Sequence, residues 1–159
     1  MNRKIRQGVF ETNSSSTHSI CIVKTADIRI PASLHLTMGE FGWECENYND
    51  SETKASYLYT GLLGNGREAD VEKLIAILSA RGVAVTKDEP VPTSWGFDGG
   101  YVDHADELGP FLNAVMDDEE MLMRFLFSGA STIETGNDND DSDVGVLPEE
   151  THDSFYKGN

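Results

Sequence analysis

Two stretches with helical spacing stand back to back in the middle of this chain, and short β-branched runs lie on either side of them. Ala55, Leu58, Tyr59 and Leu62 recur at i, i+3, i+4 and i+7, and Val71, Leu74, Ile75 and Leu78 trace a similar apolar face. Asn49, Asp50 or Ser51 can cap the first helix, and the run from Gly61 to Gly66 is expected to break it. Asn65 to Glu68 has capping-box spacing for the second helix, and Gly82 stands where a C-terminal cap belongs. Val83 to Thr86 then returns as a strand.

The flanks complete the pattern. Lys4 to Phe10 and Ile20 to Lys24 read as strands joined in a hairpin or tight crossover, and Ile28 to Ile30 and Leu34 to Leu36 alternate as further strand. Beyond residue 104, a helix near Pro110 to Met116 aligns Leu108, Phe111, Leu112 and Val115. A second opens at Asp117-Asp118-Glu119-Glu120, acids well placed for a helix N-terminus, and Gly129 ends it. Ser131 to Thr135 reads as a strand. The expected class is α+β: N-terminal strands, then about four helices packed on a small mixed or antiparallel sheet. The expected organisation is a single domain over 1–135 and an acidic, turn-rich, flexible segment over 136–159.

Charge narrows the partners. The chain of 159 residues carries a formal net charge of −16, which repels nucleic acid and anionic lipid. No apolar run approaches the roughly 20 residues of a membrane span, and the start MNRKIRQGVF has no apolar signal region, so a cytoplasmic protein is expected. The acidity is uneven: residues 1–39 sum to +3 and the rest to −19. Cys21 and Cys45 form no C-x-x-C pair. Cys21 reads as a small buried hydrophobe, and Cys45 between Glu44 and Glu46 makes a poor nucleophile.

The basic head holds the most informative segment, Glu11-Thr12-Asn13-Ser14-Ser15-Ser16-Thr17-His18-Ser19, nine residues without an aliphatic or aromatic side chain. Read as a loop, its hydroxyls and backbone N–H groups can wrap a phosphate or carboxylate. Arg3 and Arg6 supply counter-charge, and His18 can move a proton. The binding set is therefore Arg3, Arg6, Glu11, Asn13, Ser14, Ser15, Ser16 and Thr17. The segment is neither a P-loop nor a nucleophile elbow; the plainer reading is a solvated turn.

The run Gly8-Val9-Phe10 through Ser19 resembles the opening signature of a family of bacteriophage and bacterial proteins with no assigned activity. The resemblance extends to Phe41-Gly42-Trp43, to Lys54 through Thr60, to Tyr101-Val102-Asp103-His104, to Leu126-Phe127-Ser128 and to Thr135 through Asp138. It implies a phage-type origin, hence the host cytoplasm, and a polar segment that is a family signature. It carries no catalytic role over.

Asp103, His104 and Asp106 form a second polar cluster, in which Asp103 can orient His104 for acid–base work; the plainer reading is an N-cap beside a surface histidine. A divalent metal would need His104, His18 and carboxylates such as Asp138 and Asp140 to converge. The acidic run from Asp138 to Asp143 fits an EF-hand poorly, because Asp143 stands where that turn wants glycine. Residues 87–104 read as a long irregular stretch, with Trp95 and Tyr101 able to wall a site.

Two functions fit. One is a domain that binds a small anionic ligand, such as a nucleotide phosphate, with His18, His104 and Asp103 in catalytic roles. The other is an acidic protein that binds and blocks a basic host protein, as a nucleic-acid mimic or anti-defence factor.

Overall fold

The computed structural model describes residues 16–25, 27–42, 46–93, 96–98, 100–137 and 147–157. The fold is α+β. Its main sheet is built from β1 (Ser16–Val23), β4 (Glu46–Tyr48), β9 (Thr132–Asn137) and β10 (His152–Lys157), all antiparallel, in the order β10-β1-β9-β4. Among the described residues, three two-stranded pairs accompany it. β2 (Ser33–Leu36) runs parallel to β5 (Ala84–Lys87), β3 (Glu40–Phe41) runs parallel to β8 (Tyr101–Val102), and β6 (Val91–Thr93) pairs antiparallel with β7 (Gly96–Asp98).

Among the described residues, four α-helices pack with these strands: α1 (Ser51–Gly64), α2 (Glu68–Ala80), α3 (Gly109–Asp117) and α4 (Glu119–Phe127). The Asp50 carboxylate accepts from Thr53 N at 2.8 Å and caps α1; Asp118 accepts from Glu120 N and Met121 N and caps α4. Gly82, at φ +87°, follows α2 in the left-handed conformation that glycine adopts freely. No described helix is long and apolar enough to cross a membrane.

Helix α1 is the hub. Every residue from Lys54 to Leu63 is buried, so its periodicity marks the centre of the molecule rather than one amphipathic face. Gly61 does not break it. A Cβ there would lie 3.3 Å from Leu108 Cδ1, so the glycine gives close helix contact. Asn65 makes no capping box with Glu68, and α2 starts without a side-chain cap. Asn65 Nδ2 instead donates to Gly61 O and Ala105 O, tying the end of α1 to a later turn.

Lys54 is the unexpected member of this core. Its ammonium is fully buried and donates to Ser128 O at 2.6 Å and Ser131 O at 3.0 Å, in the turn leaving α4. Carbonyls at a helix C-terminus carry negative partial charge, which compensates part of the desolvation. Burial still pulls the amine down to about 8, against the opposing pull of Asp50.

Strand β1 departs furthest from the local reading. Ile20 to Lys24 were expected to pair with Lys4 to Phe10, which lie outside the described residues. Both sides of β1 are instead occupied by strands from the far end of the chain: Ile20 pairs with Ile133 on one side and Phe155 on the other. That arrangement buries three apolar side chains together, which a hairpin to a polar turn does not offer. Ser16 to Ser19 are therefore strand, not loop, and Thr17, His18 and Ser19 are buried. The C-terminal stretch supplies β10 over 152–157, so that part of the segment expected to be flexible belongs to the sheet. Within 87–104, short pairs replace much of the irregular chain.

Candidate functional site

Four parts of the fold meet at one cleft of about 230 Å³. β1 brings His18 and Ile20, and β10 brings Ser154 and Phe155. The 3₁₀ turn Ala105–Leu108 brings Glu107, and α3 brings Phe111. The pairing of Ile20 with Phe155 places those two side by side. The turn is held from below: β8 is pinned to β3 through Tyr101 N to Gly39 O and Asp103 N to Phe41 O, and Asn65 holds Ala105 O at 2.7 Å.

His18 is 1 % exposed and lies on the helix-facing side of β1. Its Nδ1 is 2.8 Å from the Tyr57 hydroxyl on α1. Burial raises the Tyr57 pKa far above the usual phenol range, so that oxygen keeps its proton. Tyr57 continues an aromatic line: its ring meets Phe41 at 5.1 Å and Phe111 at 6.3 Å, and Phe111 meets Phe155 at 5.8 Å, all edge-to-face. The cleft thus combines an imidazole, aromatic walls and a carboxylate at Glu107.

The second predicted cluster sits beside it. His104 opens the 3₁₀ turn at φ +55°, a left-handed conformation uncommon for a non-glycine residue. Its Nδ1 is 3.3 Å from Glu107 Oε1, whereas Asp103 Oδ2 is 3.9 Å from its Nε2. Glu107, rather than Asp103, is therefore the nearer carboxylate to His104. Asp103 Oδ2 is buried and makes no hydrogen bond among the described residues. Asp106 lies inside the turn and caps no α-helix.

Glu107 shares the cleft lining with His18 and lies beside His104. His104 does not line the cleft, and neither does Tyr101, which is exposed. Ser16 and Thr17 continue directly into His18 on β1. Arg3, Arg6, Glu11, Asn13, Ser14, Ser15, Trp95, Asp138 and Asp140 lie outside the described residues. Among the described residues, no group of three His, Cys, Asp or Glu side chains is set to hold a metal ion. Cys21 is buried on the opposite face of β1, with Sγ 3.5 Å from Ser154 Oγ.

The sequence reading missed Tyr57, Glu107, Phe111 and Phe155. Tyr57 and Phe111 fall among core residues, and Glu107 is one acid among many. Their common feature is adjacency in space. Together these parts define a small α+β domain with an aromatic-walled cleft containing a histidine. Comparison with known protein families, with curated proteins and with solved structures found no match.

Proposed function

We propose that this chain is a phage-type accessory protein that binds a small nucleotide-like ligand at the His18 cleft. The ligand's ring rests at the mouth of the cleft against Phe155 and Glu107, and its anionic group is taken by the hydroxyl-rich signature from Asn13 to Thr17, with Arg3 and Arg6 as counter-charge. The observation that carries this reading is the burial of His18, next to the end of the signature, at the wall of a cleft. A polar segment serving only as a solvated turn has no need to send an imidazole inward to a tyrosine hydroxyl. At about 230 Å³ the cleft lies below the roughly 300–1,000 Å³ of drug-sized pockets, which limits what it holds to a small group.

Thermal melts with nucleoside monophosphates, inorganic phosphate and divalent cations test it. A nucleotide is expected to raise Tm, with the rise diminished in Ser14→Ala, Ser16→Ala and His18→Gln. No rise in the wild type with any nucleotide overturns the reading.

The alternative, an acidic protein that blocks a basic host surface, draws support from how the cations are used. Lys24, Arg67, Arg81 and Lys87 are paired with carboxylates, and Lys73 and Arg124 donate to backbone carbonyls. A basic host protein retained at low salt and released at moderate salt favours that reading, because such attraction is screened over about 10 Å at 0.1 M.

A further inference from the structure

We infer that the Asn65–Gly66 bond is a deamidation site kept closed by the end of α1, and that its conversion to aspartate frees the Ala105–Leu108 turn that carries Glu107. The inference stands apart from the identity of any ligand in the cleft.

Asn65-Gly66 is the one asparagine–glycine pair in the sequence. Asparagine reacts most readily before glycine, which has no side chain to shield its nitrogen and bends freely. The Gly66 nitrogen attacks Asn65 Cγ, the Cγ–Nδ2 bond breaks, and Nδ2 leaves as ammonia with the proton that Gly66 gives up. Water then adds across one C–N bond of the five-membered imide. Opening at Cγ gives aspartate, and opening at the backbone carbonyl gives isoaspartate.

The fold holds both reacting groups. Gly66, at φ +66°, closes α1 in a Schellman arrangement: its N–H donates to Leu63 O at 3.0 Å, and Arg67 N donates to Leu62 O at 2.9 Å. The attacking nitrogen is thus occupied. The Asn65 carboxamide is pinned separately, with Nδ2 donating to Gly61 O at 2.8 Å and Ala105 O at 2.7 Å. Ring closure requires these contacts to open together, so its rate follows local opening of the helix end.

The same contacts tie the modification to the cleft. Gly64 packs so closely on the turn that a Cβ there would lie 3.2 Å from Ala105 Cβ. Two carbonyl oxygens converge on one amide donor. Aspartate at position 65 sets an acceptor-only group against both of them, and isoaspartate also lengthens the backbone at the helix end. Either product replaces two attractions by repulsion and releases Ala105. Glu107 belongs to the same turn, where its N–H donates to His104 O at 3.0 Å, and its side chain lines the cleft.

Ageing the wild-type chain at mildly alkaline pH, folded and in urea, with peptide mapping across 65–66, tests the closure. The folded chain is expected to deamidate at least about tenfold more slowly than the unfolded one. Equal rates overturn the protection. Amide exchange on Asn65→Asp tests the coupling: exchange over 105–108 is expected to speed up at least about tenfold, with the centre of α1 unchanged. Exchange over 105–108 at the wild-type rate overturns it. Asn65→Ala, which loses both donations without adding charge, is expected to speed that exchange by a smaller factor. An Asn65→Asp chain that fails to fold where Asn65→Ala folds supports the same repulsion.

Discussion

His18 on β1 and Tyr57 on α1, 39 residues apart in sequence, meet through a 2.8 Å contact between imidazole Nδ1 and the phenolic oxygen. Both groups are buried, so neither has water as a ready substitute. Tyr57→Phe removes the hydroxyl and with it this buried contact to His18 Nδ1. The expected loss is about 1–3 kcal/mol, seen as a lower urea midpoint with unchanged slope. A loss under about 0.5 kcal/mol would show that the contact contributes little.

Lys54 makes stability depend on pH in an unusual direction. Its folded-state pKa of about 8 lies below the ordinary 10.5, so between those values the unfolded chain holds more protons. This group therefore makes the fold more stable as pH rises from about 8 toward 10.5, with a slope of at most about 1.4 kcal/mol per pH unit. Lys54→Met removes that slope. Denaturation at about pH 7.5 and about pH 9 compares the two proteins, and the tyrosines, common to both, cancel in the difference. Parallel pH courses would rule out a titrating Lys54.

Gly100, just before β8, packs directly against Gly39, just before β3. A Cβ there would sit 2.5 Å from Gly39 O and 2.7 Å from Gly39 N, against backbone that cannot rotate away. Gly100→Ala is expected to cost about 1–3 kcal/mol by forcing this pair apart. Gly109, at the start of α3, has nothing within 4 Å of the same position. Gly109→Ala is therefore expected to be near neutral in the same thermal melts.

The two acids before α4 should behave differently. Asp118 accepts from Glu120 N at 3.0 Å and Met121 N at 3.1 Å, so Asp118→Ala is expected to cost about 0.5–2 kcal/mol. Asp117 is exposed and ends α3 without a capping role. Its replacement by alanine is expected to change stability by less than about 0.5 kcal/mol. Equal effects in guanidinium titrations would contradict the cap assignment.

Several elements are legible in the residues alone. The spacing of Ala55, Leu58, Tyr59 and Leu62 finds α1, Asp50 is among its foreseen caps, and Gly82 marks the end of α2. These signals act within one or two helical turns, so neighbours in sequence carry them. The same logic misplaces Ser16 to Ser19. Nine polar residues read as a turn because local propensity is all that such a stretch expresses, whereas pairing with β9 and β10 draws Ser16–Ser19 into the sheet.

The sequence by itself determined the α+β class, the helix positions and two of their caps, and the concentration of basic and hydroxyl groups near the N-terminus. Tertiary structure decided which strands flank β1, how backbone carbonyls of Ser128 and Ser131 accommodate Lys54, and that His18, Glu107, Phe111 and Phe155 share one cleft. The reason is physical. Periodicity and capping are properties of a few consecutive residues, while strand partners and buried polar contacts depend on which distant surfaces exclude water from one another.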